Sequence, residues 1–193
     1  MRAETVEIRW HGRGGQGAKT AAFLLAESLI DQGKYAQGFP DYGPERMGAP
    51  IRGYNRISDK PVRHHCDVRS PGIVVVLDPT LIGSDDITSG LIEGGVVLVN
   101  SPRPPEEMRR ELKLAGGKVY TVDATGIALK EIGRPIPNLP MIGSLLKVAP
   151  ELSQIDSMGA IVGKKFEGKF SKQVIDGNIR AMRRGYEEVG GEK

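Results

Sequence analysis

The sequence predicts an α/β fold, a three-layer sandwich with a mainly parallel central sheet and a β-hairpin excursion, in a single domain of residues 1–193. Strand-like apolar runs alternate with helix-like stretches along the chain, which is typical of this fold class. The runs at residues 73–77, 96–99 and 119–122 are continuously apolar, as in strands that are buried on both faces. No internal repeat or linker divides the chain.

The first predicted elements surround a glycine-rich turn. Residues 6–10 alternate in polarity as a strand, and residues 12–17 form the turn. Residues 18–32 carry apolar side chains at helical spacing, and Gly33 is a suitable end for that helix. Residues 35–39 are predicted to form a second strand.

A long loop and a hairpin follow. Residues 40–50 are crowded with proline and glycine, and so long a loop in a small domain favours a functional role. Residues 51–57 and 61–65 flank a short polar turn and predict a β-hairpin. The predicted helices of the second half begin after Asp78-Pro79, span residues 106–114, run from Asp123 to residue 132, and span residues 171–189.

Composition argues against several classes of protein. The 27 basic and 24 acidic residues are mixed along the chain, whereas a nucleic-acid-binding protein usually has a concentrated basic face. One cysteine, Cys66, allows neither an internal disulfide nor a CxxC site. The N-terminus lacks a signal-peptide pattern, and residues 73–77 are too few to cross a bilayer. We expect a cytoplasmic protein with no membrane and no nucleic-acid partner.

The glycine turn has the spacing G-x-G-x-x-G at residues 12–17 and permits several interpretations. A dinucleotide site has this strand–loop–helix context, but the acidic residue expected at the end of the second strand is missing. A P-loop is out of register, because Ala18 separates Lys19 from the last glycine and turns it by roughly 100° around the helix. A general anion site uses backbone N–H groups at a helix N-terminus, with Lys19 and Arg13 adding positive charge. The remaining alternative is a tight turn without a ligand.

Other polar residues indicate structural roles. His11, His64 and His65 lack a third ligand at zinc-like spacing, so we expect no metal site. Asp78 and Asp123 follow apolar strands and are suited to begin helices. No nucleophile and base stand in a suitable arrangement, so we expect no catalytic residue in this chain.

Longer segments of the sequence carry a family resemblance. WHGRGGQGAKTAA is followed by GFPDYGPERMGAPIRGYNRIS and, further along, by VDATGIALKEIGRPIPNLPMIGSLLKV. Together these segments resemble the gamma subunit of pyruvate and related 2-oxoacid:ferredoxin oxidoreductases. The resemblance covers nearly the whole chain and is far more specific than the glycines alone.

The resemblance implies a complex of alpha, beta, gamma and delta-type subunits that oxidatively decarboxylates a 2-oxoacid, with pyruvate as the first choice. Such a complex uses thiamine diphosphate with Mg²⁺, passes electrons through [4Fe-4S] clusters to ferredoxin or another acceptor, and transfers the acyl group to coenzyme A. One cysteine cannot hold a four-thiolate cluster, and the sequence lacks the Gly-Asp-Gly segment followed by Asn that holds thiamine diphosphate through Mg²⁺, so these groups belong on partner subunits. We expect the isolated chain to be inactive and to contribute coenzyme A binding and an assembly surface.

The resemblance also suggests site residues. It places the diphosphate of coenzyme A at the glycine turn and further phosphate contacts on the segment NRISDKPVR, whose cations could equally be solvated surface charges. The long loop is assigned to contact with the catalytic subunits through Tyr42, Glu45 and Arg46. The candidate coenzyme A-binding residues are Gly12, Arg13, Gly14, Gly15, Gln16, Gly17, Lys19, Asn55, Arg56, Lys60, Arg63 and Asn100.

Two rival functions stay open at this point. One is a purely structural subunit with an empty glycine turn, in a relative that uses another oxoacid or acceptor. The other is an NAD(P)-binding oxidoreductase domain, against which the missing ribose-binding acid counts.

Overall fold

The computed structural model describes residues 5–41, 48–63 and 66–192. The strands are β1 (Val6–Arg13), β2 (Tyr35–Pro40), β3 (Pro50–Ser58), β4 (Ile73–Val76), β5 (Val96–Asn100), β6 (Lys118–Val122) and β7 (Gly190–Gly191). The helices are α1 (Ala18–Asp31), α2 (Pro105–Leu112), α3 (Ala124–Ile132), α4 (Asn138–Val148), α5 (Ile155–Phe166) and α6 (Lys172–Glu188), with a short 3₁₀ helix at Pro79–Leu81.

The strands form one mixed sheet in the order β2–β3–β1–β4–β5–β6–β7. Its centre is parallel, because β1, β4, β5 and β6 run in the same direction. β3 is antiparallel to both β1 and β2, and β7 is antiparallel to β6. The predicted fold class is confirmed.

The antiparallel excursion differs from the predicted hairpin. β3 pairs with β1 along one edge and with β2 along the other, so neither edge is left for a following strand. Residues 61–63 lie outside any strand, while His64 and His65 lie outside the described residues. The hairpin of residues 51–57 with 61–65 was therefore wrong, and the pair β2–β3 takes its place.

Helices and loops cover the sheet unequally on its two faces. The larger core contains Trp10, Val75 and Leu98 from the sheet and buried residues of α1, α3, α4, α5 and α6. The smaller core contains Val74 and Val97 and is covered by α2 and the segment after β4. Alternate residues of β4 thus serve different cores, as the continuously apolar run predicted.

Two helices, α4 and α5, were not predicted. Nine of the eleven residues of α4 are buried, so the helix has no polar face from which a helical period could be recognised. The α4 helix lies tightly against α6: a Cβ on Gly185 would stand 2.1 Å from the Pro140 carbonyl oxygen. Ser144 Oγ also donates to the Gly185 carbonyl oxygen at 2.8 Å. This close packing fixes the position of the α4 N-terminus.

Across the described ranges, none of the helices has both the length and the apolar character needed to span a bilayer.

Candidate functional site: a glycine loop at a topological switch point

The glycine turn lies where the chain leaves two parallel neighbouring strands in opposite directions. After β1 the chain enters α1 and the larger core, whereas after β4 it enters the 3₁₀ helix, whose Leu81 belongs to the smaller core. In α/β folds, such a switch point opens a crevice at the carboxyl ends of the strands, where ligands bind. Residues 13–17 line one side of this crevice, and residues 78–80 line the other.

Backbone N–H groups in this loop are open to a ligand. Gly15 and Gly17 have φ angles of 99° and 86°, a left-handed conformation that glycine adopts without strain. Gly14 N–H donates to the Ala49 carbonyl oxygen at 3.0 Å. Within the described part of the chain, no acceptor receives the N–H groups of Gly15, Gly17 or Ala18. Because these groups stand at the start of α1, they make this end of the loop electropositive.

The Gln16 side chain is held by internal hydrogen bonds that fix the shape of the loop. Its Oε1 accepts from the Arg13 N–H at 2.7 Å, and its Nε2 donates to Asp78 Oδ2 at 2.7 Å. The side chain therefore connects the two sides of the crevice and sets the spacing between them.

Arg13 and Asp78 form an ion pair at the base of the crevice. Arg13 Nε lies 3.2 Å from Asp78 Oδ2, and Arg13 also donates to Thr80 Oγ1 and to the Gly48 carbonyl oxygen. Burial opposes ionisation of Asp78, but hydrogen bonds from Thr80 and Gln16 and the charge of Arg13 lower its pKa below the ordinary value. Asp78 is thus a carboxylate whose charge Arg13 offsets, as an anion site requires.

The predicted capping roles are also found. Asp78 accepts from the Thr80 N–H at 2.9 Å and begins the 3₁₀ helix, and Asp123 accepts from the Gly126 N–H at 2.8 Å and begins α3. Both contacts satisfy N–H groups that lack an intrahelical partner.

Lys19 and the end of the long loop lie close to the crevice. Lys19 is exposed on the first turn of α1, while Ala18 before it is buried. Gly48 N–H donates to the Gly14 carbonyl oxygen at 3.3 Å, so the long loop returns to the glycine turn. The predicted interface residues Tyr42, Glu45 and Arg46 lie outside the described residues.

The structure places Asn55 and Asn100 in internal hydrogen bonds. Asn55 accepts from Trp10 Nε1 and donates to the carbonyl oxygens of Ala22 and Gln37, and its side chain is fully buried. Asn100 donates to the Leu77 carbonyl oxygen and to Thr125 Oγ1, and accepts from the Thr125 N–H. Their amides have no capacity left for a phosphate, so we do not include either residue in the site.

The predicted cations in the last part of β3 and beyond it lie at the opposite end of the sheet from the glycine loop. In the pairing of β1 with β3, Arg56 lies opposite Glu7, and Pro50 lies opposite Arg13, where β1 meets the glycine loop. Six residues along a strand correspond to roughly 20 Å. Arg56 is 3% exposed and donates to Glu7 Oε1 at 2.7 Å, so it is an interior ion-pair residue.

Lys60 and Arg63 belong to the same distant end. Both are exposed and lie beyond the end of β3, and Gln37 Nε2, beside Arg56 in the sheet, donates to the Val62 carbonyl oxygen at 3.1 Å. One phosphate group cannot contact these cations and the glycine loop together. The structure therefore divides the predicted site into two separate regions.

A buried charged network that was not predicted lies on β1 just before the loop. His11 Nε2 accepts from Arg9 Nε at 3.0 Å, which leaves the proton on Nδ1, 3.0 Å from Asp85 Oδ2. Burial and then the charge of Arg9 lower the pKa of His11 to about 4, so its ring is neutral near pH 7. Arg52 also donates to Asp85. The described residues contain no group of three or more potential metal ligands.

A further unpredicted residue, Asn138, begins α4 directly beside the loop. Measured from the position that a Cβ on Gly17 would take, the Asn138 amide nitrogen lies at 2.6 Å and its Cβ at 3.1 Å. The N-termini of α1 and α4 therefore converge on the same loop. Only the pairing of segments about 120 residues apart in the chain brings them together, so no local pattern could have revealed it.

The strand order also decides between the interpretations of the glycine turn. In a dinucleotide-binding fold the second strand lies beside the first, but here β3 separates β2 from β1. An acid at the end of β2 would thus stand two strand spacings, about 10 Å, from the loop. This topology does not fit the dinucleotide interpretation.

Comparison with known proteins gives the family. The pyruvate ferredoxin/flavodoxin oxidoreductase family matches residues 7–188. The chain belongs to this family. Pyruvate synthase subunit PorC of Thermotoga maritima is 50% identical over 183 residues, which cover 95% of this chain and 94% of that protein. The pyruvate/ketoisovalerate oxidoreductases common subunit gamma of Thermococcus litoralis is 44% identical over 184 residues, which cover 95% and 97%.

Two solved structures are similar to this chain, one in sequence and fold and one in fold alone. Pyruvate oxidoreductase subunit PORC from Thermotoga maritima matches with a TM-score of 0.88 and 46% identity over 98% of this chain and 99% of that one. A 2-oxoglutarate:ferredoxin oxidoreductase from Magnetococcus marinus, with 2-oxoglutarate, coenzyme A and succinyl-CoA bound, shares the fold. It has a TM-score of 0.75 and 19% identity over 94% of this chain and 30% of that one. The family resemblance predicted from the sequence is confirmed.

Proposed function

We propose that this chain is the gamma subunit of a 2-oxoacid:ferredoxin oxidoreductase that converts pyruvate, and that it holds the diphosphate of coenzyme A. The unpaired N–H groups of Gly15, Gly17 and Ala18 at the switch point carry this proposal. A diphosphate presents several anionic oxygens, which such N–H groups and a helix N-terminus bind well. The exposed Lys19 on the same turn adds positive charge.

The chain contributes position rather than reacting groups. Alpha, beta and delta-type subunits supply thiamine diphosphate, Mg²⁺ and the [4Fe-4S] clusters. For the clusters this follows from the single cysteine, which cannot provide four thiolates. Fixing the nucleotide end of coenzyme A restricts where its thiol can travel. An acyl group made by the partner subunits then meets the thiol in an effectively intramolecular step, which lowers the barrier by several kcal/mol.

Relatives named for pyruvate and ketoisovalerate support a pyruvate-type complex, and the neighbour with bound coenzyme A supports the ligand. A reducing cytoplasm suits the single cysteine and the oxygen-sensitive clusters of the partners. Ferredoxin, or another acceptor reached through the partner subunits, takes the electrons.

The test is a titration of the assembled complex with coenzyme A, using wild type, Lys19→Ala and Arg63→Ala. Loss of Lys19 should weaken binding about threefold to tenfold, because one charge near the diphosphate is removed. Arg63→Ala should leave it unchanged, since Arg63 lies at the opposite end of the sheet. Lys164→Ala removes an exposed charge from α5 and serves as the matched control.

A purely structural subunit is the second candidate. The hydrogen bond between Gln16 and Asp78 favours it, because it brings a carboxylate to the crevice and could keep the loop in shape without any ligand. Wild-type affinity in the Lys19 variant, or no binding of coenzyme A at all, would support that candidate. Loss of binding only in Arg63→Ala would indicate that coenzyme A binds at the opposite end of the sheet.

A further inference from the structure

We propose that Asn138 binds the same phosphate ligand as the glycine loop, so that the site is built from the N-termini of two helices, α1 and α4. The inference rests on the proposed function and assigns one further contact within it. In this arrangement Asn138 Nδ2 donates to a diphosphate oxygen beside Gly17.

The orientation of the Asn138 amide carries the inference. Its Oδ1 accepts from the Leu139 N–H at 2.9 Å, which fixes the carbonyl end toward its own helix. The NH₂ end therefore faces the loop, and Nδ2 is the Asn138 atom closest to the Cβ position of Gly17, at 2.6 Å. The side chain points its donor at the anion site.

The Asn138 side chain is nearly buried, but its donor remains accessible from the crevice and has no protein acceptor among the residues described. Asn138 is 7% exposed, and no residue in the ranges 5–41, 48–63 and 66–192 accepts from its Nδ2. A donor that is held by a nearly buried residue and is accessible only from the crevice is well placed to bind a ligand there. An anionic oxygen in the crevice would accept from this donor and from the open N–H groups of the loop.

The surroundings of α4 hold Asn138 in place. The α4 helix contacts α6 at Gly185, where the backbones approach too closely for any side chain, and Ser144 Oγ donates to the Gly185 carbonyl oxygen. Asn138 therefore cannot move away from the loop without moving the helix pair. A donor fixed before the ligand arrives loses little entropy on binding.

Only glycine at position 17 leaves room for this arrangement. A side chain there would occupy the space that the Asn138 amide fills, and φ at Gly17 is 86°. A side chain that only packs against the loop would fill that space equally well. The variants must therefore separate hydrogen-bond donation by Asn138 from its packing.

Asn138→Ala and Asn138→Asp make that separation in the assembled complex. Asn138→Asp keeps the shape and the acceptor for the Leu139 N–H but replaces the donor with a negative charge. We expect Asn138→Ala to bind coenzyme A about tenfold to a hundredfold more weakly, and Asn138→Asp more weakly still, because it repels the diphosphate. The rate at saturating coenzyme A should stay near wild type, so the loss appears in KM.

Inorganic diphosphate, used as a competitor of coenzyme A, gives a second readout for the same contact. Its inhibition constant should rise in parallel in both Asn138 variants. Asn178→Asp adds the same charge at a half-buried position of α6 and is the control for net charge. Thermal unfolding of each complex confirms that the variants are folded. If Asn138→Ala does not fold, Asn138→Asp alone carries the test.

The outcomes distinguish the two proposals. Wild-type affinity in Asn138→Asp, with coenzyme A still lost in Lys19→Ala, would overturn the role of Asn138 and leave the glycine-loop site standing. A wild-type complex that binds neither coenzyme A nor diphosphate would overturn the proposed function itself.

Discussion

Gln16 Nε2 donates to Asp78 Oδ2 at 2.7 Å, and this single contact joins the loop after β1 to the loop after β4. Gln16 also accepts from the Arg13 N–H at the start of the same loop. One side chain thus sets both the internal shape of the glycine loop and the width of the crevice. The open N–H groups of Gly15 and Gly17 depend on that shape.

Gln16→Leu should destabilise the chain and widen the crevice. The substitution removes two hydrogen bonds and leaves Asp78 with fewer donors, so the free energy of unfolding should fall by about 1 to 3 kcal/mol. Urea denaturation measures this change. Gln173→Leu, at an exposed position of α6, is the control, and equal effects of the two substitutions would contradict the role assigned to Gln16.

Gly17→Ala should abolish the anion site. A Cβ there meets the Asn138 amide at 2.6 Å, and the left-handed backbone adds about 1 to 2 kcal/mol of strain. Unfolding measurements and coenzyme A titration of the assembled complex test both effects.

Gly33→Ala isolates the contribution of backbone strain. Its φ is 84°, nearly that of Gly17, but a Cβ there has no atom within 4 Å. The Gly33 variant should lose stability without losing affinity for coenzyme A. Loss of affinity in both variants would show that stability alone explains the Gly17 result.

The His11 network predicts acid sensitivity with a definite sign. The pKa of His11 is about 4 in the folded chain, against an ordinary value near 6.5. As pH falls from 7 to 4, the unfolded chain binds a proton that the folded chain refuses, so the free energy of unfolding decreases, by at most about 3 kcal/mol. Urea denaturation across this range measures the slope.

His11→Gln removes the titrating group between Arg9, Asp85 and Arg52, and should flatten that slope. Comparing the two slopes cancels the contributions of His64 and His65. An identical slope in the variant would contradict the buried, neutral state of His11.

Gly185→Ala tests the support that α6 gives to α4. The added Cβ would stand 2.1 Å from the Pro140 carbonyl oxygen, so the helices must separate, at a cost of about 1 to 3 kcal/mol or more. Coenzyme A affinity should fall as well, because the α4 N-terminus moves. Thermal unfolding and coenzyme A titration of the complex measure the two effects.

Gly163→Ala, in α5, is the control for adding a methyl group to a helix. Its closest neighbour, Ile179 Cδ1, would be 3.8 Å away, so the better helix propensity of alanine should leave stability unchanged or slightly higher. Equal losses in the two variants would contradict the close helix contact at Gly185.

Local patterns predicted much of the fold but not its pairings. The strands at residues 73–77 and 96–99 follow from continuous apolar runs, and the first helix follows from apolar side chains at helical spacing. The partners of β3 could not be predicted in this way. A local pattern does not show whether β3 pairs with β1 and β2, as it does, or with the segment that follows β3 in the chain. The α4 helix escaped prediction because burial on all sides removes the helical period.

The candidate site was predicted in part for a similar reason. The glycine loop is a continuous segment whose position after a strand and before a helix is visible in the sequence. Asn55 looked like a ligand, but Trp10 Nε1 inside the core requires an acceptor, and Asn55 provides it. Asn138 lies next to Gly17 only through tertiary packing. Sequence shows which polar residues exist, whereas the fold decides whether they face a ligand or the interior.

A crystal structure of the assembled complex with coenzyme A tests the central claim most directly. We predict that the diphosphate oxygens lie within hydrogen-bond distance of the Gly15 and Gly17 N–H groups and of Asn138 Nδ2, with Lys19 beside them. A diphosphate bound instead near Lys60 and Arg63, or a crevice filled by side chains of a partner subunit, would contradict the claim.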